Sequence, residues 1–557
     1  MSLNPQALGE IPAETARIAR AACPKGTIMM RLRDELGSLF TDDDFADLYP
    51  ERGQPAYAPW RLAVVTVMQD VEGLTDRQAA NAVRERIDWK YGLGLELSDA
   101  GFDFSLLSEF RERLVAGEAA TRLLEKLLAK GKERGWLKAG GKHRTDSTHV
   151  LASVRALSHL EAVGETLRAA LNELAAVAPD WLVAQVSEDW FERYRHRVEN
   201  YRLPKEQSKR RELAEVIGRD GQQVLDALQH AETPGGLAQL ESVQVLRQVW
   251  EQYYEVKAGQ IRWRAGPKPP DAQVINSPYD PEARCSKKRE TVWLGYKVHL
   301  TETCDDDPVR PHLIVQVRTT VATTPDVELT ESIEQAVVKA GLAPAEHLVD
   351  GGYVDAELLV RSQQQYGIRL LGPASSDTSR PGRADQGYAQ SQFHIDWQQR
   401  RVTCPQGQHS QSWKEWEQGQ RIRVVFARSD CDACTVRAAC TQAHHTGRQL
   451  NLQPQADFEA LQARRREQTT PQFQREYARR AGIEGTLSQA VRTLGLRQAR
   501  YRGLAKTQLQ HILSAIAINV QRIDALLTQT PRGPTRHSPF AHLAHRYHRS
   551  HQQQAVG

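Results

Sequence analysis

Apolar residues at helical spacing dominate the first part of the chain. In "LTDRQAANAVRERI" they recur every three to four positions, which is the spacing that lines one face of a helix. Thr75 followed by Gln78 forms a capping-box pattern at the start of this helix. The stretch "FSLLSEFRERL" predicts another helix with Ser105 as its N-cap. We therefore expect residues 1–135 to be helical.

The pattern then changes to one typical of an α/β core. β-branched Thr145 and Thr148 predict a strand or extended stretch at 141–154. From 291 to 373, "TVWLGYKVHL" and "HLIVQVRTTVATT" predict neighbouring strands, and helix and strand patterns alternate after them. Helical spacing returns at 456–527. Such alternation indicates an α/β domain.

Two segments interrupt this core. Residues 155–290 have a largely helical pattern that ends in a proline-rich connector, which predicts a helical insertion. Residues 374–455 are rich in Gly, Ser and Gln, with short β patterns and a group of cysteines. The tail 528–557 is basic and rich in Pro and His, and we expect it to be mostly disordered. The core would then be assembled from 136–154, 291–373 and 456–527.

Composition favours a large intracellular protein that meets a polyanion. The 557 residues are 40% hydrophobic and carry a net charge of only +4. Between Arg464 and Lys506, however, eleven Lys and Arg stand against three Glu. That excess fits a nucleic acid partner, although a solvated helix face is the simpler explanation. We find no apolar run long enough for a membrane span and no signal peptide, so we expect a cytoplasmic protein.

Three acids lie where a carboxylate needs a partner. Asp146 is within the predicted strand, Asp350 ends the apolar run "HLV" before two glycines, and Glu484 stands among arginines. Ligands of α/β sheets gather at strand ends, and clustered carboxylates are the ligands that Mg²⁺ takes. Two such ions can activate an attacking oxygen and stabilise a leaving one. The alternative is that these acids are caps and salt-bridge partners.

Four of the seven cysteines form a metal-ligand pattern. Cys404, Cys431, Cys434 and Cys440 are spaced C-x26-C-x2-C-x5-C, and four thiolates satisfy tetrahedral Zn²⁺. The alternative is a set of reduced thiols without a ligand.

The acids lie in blocks that resemble a known family. "TDSTHV", "LVDGGY" and "YARRAGIEGTLSQAVRTLGLRQARYRGLAKTQLQ" are similar to the three catalytic blocks of DDE insertion-sequence transposases, in particular the bacterial group numbered eleven eighty-two. "YPERGQPAYAPWRLAVVTVMQDVEGLTDRQAANAV" and "KYGLGLELSDAGFDFSLLSEFRERL" resemble the helical DNA-binding region of that group. The likeness covers most of residues 35–525.

The resemblance implies an α/β fold: an RNase H-like mixed-sheet core with an N-terminal helical DNA-binding domain, a helical insertion and a small Cys-rich β insertion. Asp146, Asp350 and Glu484 would hold two Mg²⁺ ions, with Mn²⁺ as an alternative. The enzyme would bind the terminal inverted repeats of a transposon, cleave DNA and join the 3′-OH ends to target DNA. It would act at the bacterial nucleoid.

Part of the last block matches the family signature Y-x2-R-x3-E-x6-K. Tyr477, Arg480 and Glu484 match, but Val491 occupies the lysine position, with Arg492 next to it. On a helix the three matching residues would share one face. Each basic residue could instead simply face solvent. The candidate DNA contacts are Tyr477, Arg480, Arg492, Arg500, Arg502 and Lys506 near the C-terminus, and Arg77, Arg84, Arg86 and Lys90 in the N-terminal helices.

Two functional alternatives use the same residues. A transposase-derived regulator would bind DNA without cutting it, and a metal-dependent nuclease would cut without strand transfer. Because a transposon has two ends, we expect a homodimer, formed either by the free protein or only on DNA. The insertion 155–290 could hold that dimer together, or it could pack as a lid on its own core.

Overall fold

The computed structural model describes residues 9–257, 259–264, 273–307, 309–377, 379–383 and 388–530, together with residues 2, 3, 5, 539, 540 and 543. Apart from 528–530 and those last three residues, the predicted disordered tail lies outside the described residues. Within the described residues, no helix combines the length and apolar character needed to cross a bilayer.

The N-terminal region is helical, as its periodicity predicts. The Thr75 hydroxyl accepts a hydrogen bond from the Gln78 N–H, and the Gln78 side chain accepts one from the Thr75 N–H, so the predicted capping box is present. The prediction of Ser105 as an N-cap is wrong. Ser105 is the first helical residue, and its N–H donates to the Asp103 carboxylate at 2.9 Å. The helices are α1 (Ala13–Ala22), α2 (Ile28–Leu36), α3 (Pro59–Glu72), α4 (Asp76–Glu85), α5 (Ile87–Leu93), α6 (Ser105–Ala116) and α7 (Ala120–Glu133).

The segment that follows strand β1 (Lys142–Leu151) has a hydrophobic core of its own. Leu167, Val224, Leu246 and Trp250 are among the buried residues of that core. It also contains a hairpin that the helical pattern did not predict. The elements are α8 (His159–Val177), α9 (Pro179–Gln185), α10 (Glu188–Tyr194), α11 (Gln207–Ala227), α12 (Glu241–Tyr253), β2 (Tyr254–Lys257) and β3 (Gln260–Trp263).

The chain then builds a mixed sheet around β1. Its elements are β4 (Arg284–Lys288), β5 (Thr291–Thr303), β6 (Ile314–Val321), α13 (Thr330–Lys339), β7 (Glu346–Leu348), α14 (Ala356–Tyr366) and β8 (Arg369–Leu371). Since β4 pairs with β5, the chain returns to the sheet at Arg284, before residue 291, where the sequence predicted its return to the core.

The order of strands decides which residues meet. One edge of β5 pairs antiparallel with β1, and its other edge pairs antiparallel with β4 and β6. On the far side of β1, β7 and then β8 follow in parallel. This mixed sheet is compatible with an RNase H-like core.

A small β region carries the cysteines. It comprises α15 (Arg380–Arg383), β9 (His394–Asp396), β10 (Arg401–Thr403), β11 (Ser410–Trp416), β12 (Arg421–Phe426), α16 (Arg428–Asp432), α17 (Arg437–Cys440) and β13 (Gln449–Leu452). Val402, Val424 and Phe426 are fully buried in a separate hydrophobic cluster here.

The C-terminal helices join the N-terminal region to the sheet. They are α18 (Gln455–Glu467), α19 (Pro471–Tyr477), α20 (Gly482–Leu494) and α21 (Leu504–Leu527). Helix α21 packs against α3, α7 and β6. One hydrophobic cluster therefore includes Val65 of α3, Leu127 of α7, Val298 of β5 and Ile516 of α21. The N-terminal helices and the sheet share this core.

Candidate active site

Asp146 lies on β1, at the centre of the sheet. Its Oδ1 accepts a hydrogen bond from the Ser147 N–H at 2.8 Å, and its Oδ2 accepts one from the Arg480 guanidinium at 2.9 Å. Burial raises the pKa of Asp146; the Arg480 charge opposes this rise, and the Asp350 carboxylate adds to it. The carboxylate is therefore held by one cation in a site where burial disfavours its charge.

Asp350 follows β7, directly beside β1. The parallel register pairs Arg144 with Leu348, and continuing it by two residues brings Asp146 level with Asp350. The Asp350 Oδ1 accepts a hydrogen bond from the Gly352 N–H at 2.7 Å. A Cβ at Gly352 would lie only 2.9 Å from that oxygen, so the absence of a side chain at this position leaves space for the Asp350 carboxylate.

Glu484 is in the first turn of α20, and 60% of its side chain is exposed. Its Oε1 accepts a hydrogen bond from Arg480 at 2.8 Å. Arg480 therefore bridges Asp146 and Glu484 with its two terminal nitrogens. These two acids are far apart in the sequence and meet through one guanidinium.

The Y-x2-R-x3-E segment is not one continuous α-helix. Tyr477 ends α19, Arg480 lies in a 3-10 turn (Ala478–Ala481), and Glu484 is the third residue of α20. The Arg480 guanidinium lies 5.8 Å from the centre of the Tyr477 ring and also contacts Glu484, so the three side chains do share a face. Burial raises the pKa of Tyr477, and the phenol stays neutral.

A further carboxylate, which the sequence reasoning missed, lies beside the site. Asp326 accepts a hydrogen bond from the Ser147 hydroxyl at 3.3 Å and forms an ion pair with Lys297 at 2.6 Å. The pKa of buried Tyr353 is raised well above its ordinary value, first by burial and then by Asp326, Asp146 and Asp350. The sequence did contain an indication of this residue, because Asp326 comes after strand β6 as Asp350 comes after strand β7.

The carboxylates fit a divalent cation in kind, since hard oxygen ligands suit Mg²⁺. Asp146 and Asp350 are close enough for one charge to influence the other. Glu484, however, is held at the far end of Arg480. Accordingly, no group of three His, Cys, Asp or Glu in the described part of the chain is arranged to hold a metal ion.

The N-terminal candidates for DNA contact have different surroundings. Lys90 is only 3% exposed, and its ammonium donates to the Asp99 carbonyl oxygen at 2.7 Å. Arg86 pairs with Glu72 and with Asp88. Arg77 lies over the Phe104 ring at 4.7 Å, and Arg84 is exposed beside the Ala100 carbonyl. Arg77 and Arg84 are thus the most accessible of the four, whereas Lys90 is committed to its own loop.

The C-terminal candidates also differ. Arg492 is exposed on α20 and bonds to the Ser488 carbonyl oxygen. Arg502 lies over the Tyr279 ring at 5.5 Å, and Lys506 is 3.8 Å from Glu112. Arg500 forms an ion pair with buried Asp70 at 3.1 Å. All four side chains are exposed, but Arg500 is also held against α3 by Asp70.

The four cysteines line one cavity of about 360 Å³. Burial raises the pKa of Cys440, and the other three thiols act in the same direction. The Arg448 N–H donates to the Cys431 sulfur at 3.3 Å. The four residues share this cavity, but in the described residues no three of them are arranged to hold an ion. Bound zinc is therefore not supported by this arrangement.

Two family models match the chain. One, described as "Transposase DDE domain", matches residues 403–524, and another, "Transposase domain (DUF772)", matches residues 19–113. The first span includes the cysteines and Glu484, and neither includes Asp146 or Asp350. No curated protein and no solved structure matches the chain. The matches support a DDE transposase family.

Proposed function

We propose that this protein is a DDE transposase that binds the terminal inverted repeats of a transposon, cleaves DNA and joins the 3′-OH ends to target DNA. One observation carries the proposal. Asp146, Asp350 and Glu484 belong to three separate parts of the chain, yet Arg480 bridges Asp146 and Glu484, and Asp350 lies two residues beyond the neighbouring strand β7, close enough for its charge to act on Asp146. The two family matches support the same class of enzyme.

Asp146, Asp350 and Glu484 would hold the divalent ions, two Mg²⁺ or in their place Mn²⁺. Bound there, the ions would activate an attacking oxygen and stabilise the leaving oxygen of the phosphodiester. Cleavage and joining are then the same displacement with water or a DNA 3′-OH as nucleophile.

The protein's own residues bind and orient the DNA. Arg480 presents a planar fork that can donate two hydrogen bonds to a phosphate once it releases its carboxylates. Tyr477 packs on Phe473 with ring centres 5.5 Å apart, which limits how far Arg480 can swing. We propose Arg492, Arg502 and Lys506 as phosphate contacts near the site, and Arg77 and Arg84 as contacts of the N-terminal helices with the terminal repeats.

The test is cleavage of a duplex carrying one transposon end. Asp146→Asn, Asp350→Asn and Glu484→Gln should each abolish Mg²⁺-dependent nicking while binding of the duplex persists, because most DNA affinity comes from phosphate contacts. Asp306→Asn is the matched control, since Asp306 is an exposed acid that pairs only with Arg479 in the described structure. Normal nicking by any of the three variants would remove that residue from the site.

Two further outcomes separate the alternatives. Binding of the end duplex without nicking by the wild-type protein would indicate a regulator. Nicking without joining of pre-cut ends to a target plasmid would indicate a nuclease.

We also propose that Cys404, Cys431, Cys434 and Cys440 bind one structural Zn²⁺, because their spacing suits four thiolate ligands and they line one cavity, in which the thiols would have to move closer together to bind the ion. Metal analysis of the purified chain should find about one zinc per chain. Cys431→Ser combined with Cys434→Ser should lose the zinc and lower the melting temperature. Exposed Cys285 lies outside this region, so Cys285→Ser should keep the zinc. A folded, zinc-free wild-type protein would refute the proposal.

A further inference from the structure

A buried carboxylate on β5 connects the elements that carry the candidate catalytic acids. Glu302 is 0% exposed. Its Oε1 accepts a hydrogen bond from Arg144 at 2.7 Å, and its Oε2 accepts bonds from Thr486 at 2.8 Å and Arg522 at 2.7 Å. Burial alone would raise the pKa of Glu302, but the two guanidinium groups outweigh it and the pKa is lowered. The acid is therefore ionised and fully partnered.

Two of the three partners of Glu302, Arg144 and Thr486, lie beside residues of the candidate active site. Arg144 precedes Asp146 by two positions on β1, so both side chains point to the same face of the sheet. Thr486 follows Glu484 by two positions on α20 and is 3% exposed. Arg522 comes from α21 and donates a second bond, to the Thr486 oxygen, at 2.6 Å.

Arg144 also holds the turn before α20. Its guanidinium donates to the Arg479 carbonyl oxygen at 2.8 Å, next to Arg480. A Cβ at Gly482 would collide with this guanidinium, so the first residue of α20 must be small. The same side chain thus contacts β5 and the segment that carries both Arg480 and Glu484.

We infer that Glu302 is a positioning residue that, through Arg144 and Thr486, fixes α20 against β1 and so sets the position of Glu484 relative to Asp146. The inference rests on the proposed function, in which both acids hold the same divalent ions. Because Glu302 is fully buried, this role assigns it no contact with DNA or with the metal ions. It acts because a buried, charge-assisted network has one geometry and resists sliding of the helix over the sheet.

The variant Thr486→Val tests this with little change of shape, because it removes only the hydroxyl that links α20 to Glu302. The measurement is the rise in melting temperature of the full chain as Mg²⁺ is titrated, which needs no cleavage. Groups that orient metal ligands typically change metal affinity by about 10- to 100-fold. We expect Thr486→Val to need roughly ten-fold more Mg²⁺ for half of the maximal rise.

Three further variants make the test specific. Thr486→Ser retains the hydroxyl and should restore the wild-type Mg²⁺ dependence. Thr493→Val removes an exposed hydroxyl of α20 that bonds only to the Gln489 carbonyl oxygen in the described structure, and should leave that dependence unchanged. Glu302→Gln should weaken Mg²⁺ binding at least as much as Thr486→Val.

The outcomes separate this inference from the proposed function. A lower melting temperature in Thr486→Val with an unchanged Mg²⁺ dependence would overturn the inference and leave a purely structural role. Absence of any Mg²⁺-induced rise in the wild-type protein would overturn it as well. A third outcome is possible: Thr486→Val weakens Mg²⁺ binding, but the wild-type protein does not nick DNA. This would support the inference and reject the proposed transposase activity.

Discussion

Arg480 is the residue on which the candidate active site is centred. The Arg480 side chain is only 16% exposed and forms ion pairs with both Asp146 and Glu484. A divalent cation bound by the same carboxylates would compete with it for their charge. Arg480 therefore supplies the positive charge beside these carboxylates that a bound divalent ion would supply.

We predict that Arg480→Gln lowers the melting temperature without divalent ions, because buried Asp146 loses its cation. Added Mg²⁺ should raise the melting temperature of the variant more than that of the wild type, since ligand binding stabilises in proportion to affinity. Differential scanning fluorimetry over a Mg²⁺ titration measures both effects. Arg492→Gln, which changes an exposed arginine of α20, should behave as the wild type does. An equal Mg²⁺ response in Arg480→Gln and wild type would contradict the competition.

Asp70 gives a pH-dependent prediction at the same scale. Burial raises the pKa of Asp70 to about 6, although Arg500 opposes the rise. The raised pKa means that this carboxyl stabilises the fold fully below its unfolded pKa, near 4, and that the contribution is lost as pH rises through about 6. The roughly 2 pH units between the two values correspond to about 3 kcal/mol.

Asp70→Asn keeps the shape of the side chain and removes the free-energy cost of ionising this buried carboxyl at high pH. We expect the stability of the variant relative to the wild type to improve by about 2 to 3 kcal/mol between pH 4 and pH 8. Urea unfolding at the two pH values measures it. Exposed Asp306 is the control position, where Asn should change little. A relative stability independent of pH would show that Asp70 ionises normally.

Helix α20 offers a matched pair of glycines at the scale of the element. A Cβ at Gly482 would collide with the Arg144 guanidinium, whereas a Cβ at Gly485 has no neighbour within 4 Å among the described atoms. Both residues are exposed and belong to the same helix. The difference between them is thus the contact with β1 and not the helix itself.

We predict that Gly485→Ala stabilises the protein by about 0.5 to 1 kcal/mol, because alanine has the higher helix propensity. Gly482→Ala should destabilise it by roughly 1 to 3 kcal/mol, since Arg144 must move away from the turn. Chemical denaturation of both variants provides the comparison. Equal stabilisation by the two alanines would mean that the Arg144 side chain can move away from residue 482 without loss of folding free energy.

At the scale of the whole molecule, the segment predicted to be a helical insertion has a hydrophobic cluster of its own. Leu167, Val224 and Trp250 are buried in that cluster, and whether the segment packs as a lid on the catalytic core or pairs two chains stays a prediction. It also exposes Val183 and Phe191, which are 63% and 55% accessible. A role in pairing two chains therefore remains a proposal that concerns this outer surface.

We predict that two chains assemble on paired transposon ends, because coordinated joining of two ends needs two active sites. Light scattering with and without end DNA measures the mass of the complex. Val183→Ser combined with Phe191→Ser should weaken the paired complex, and Val292→Ser, which changes an exposed valine of β5, should leave it intact. A monomeric complex on one end that still joins both ends would rule the dimer out.

The sequence by itself determined the elements that follow from local pattern. β-Branched residues predicted β1, and periodicity predicted the N-terminal helices. The Thr75 capping box could be recognised because its partners are three residues apart. The motif blocks also identified Asp146, Asp350 and Glu484 as candidates, because each stands in a short stretch of distinctive residues. Local chemistry thus specified what each segment forms.

Only the tertiary structure decided which residues meet. Strand order brought Asp146 level with Asp350 and placed Asp326 beside them, and no local pattern contains that order. The tertiary structure also removed a candidate DNA contact. Lys90 looks like a surface cation in sequence, but it is buried against the Asp99 carbonyl. The Glu302 network depends on partners about 160 to 220 positions away. Contacts of that kind depend on how the whole chain packs, so they have no signature within any one segment.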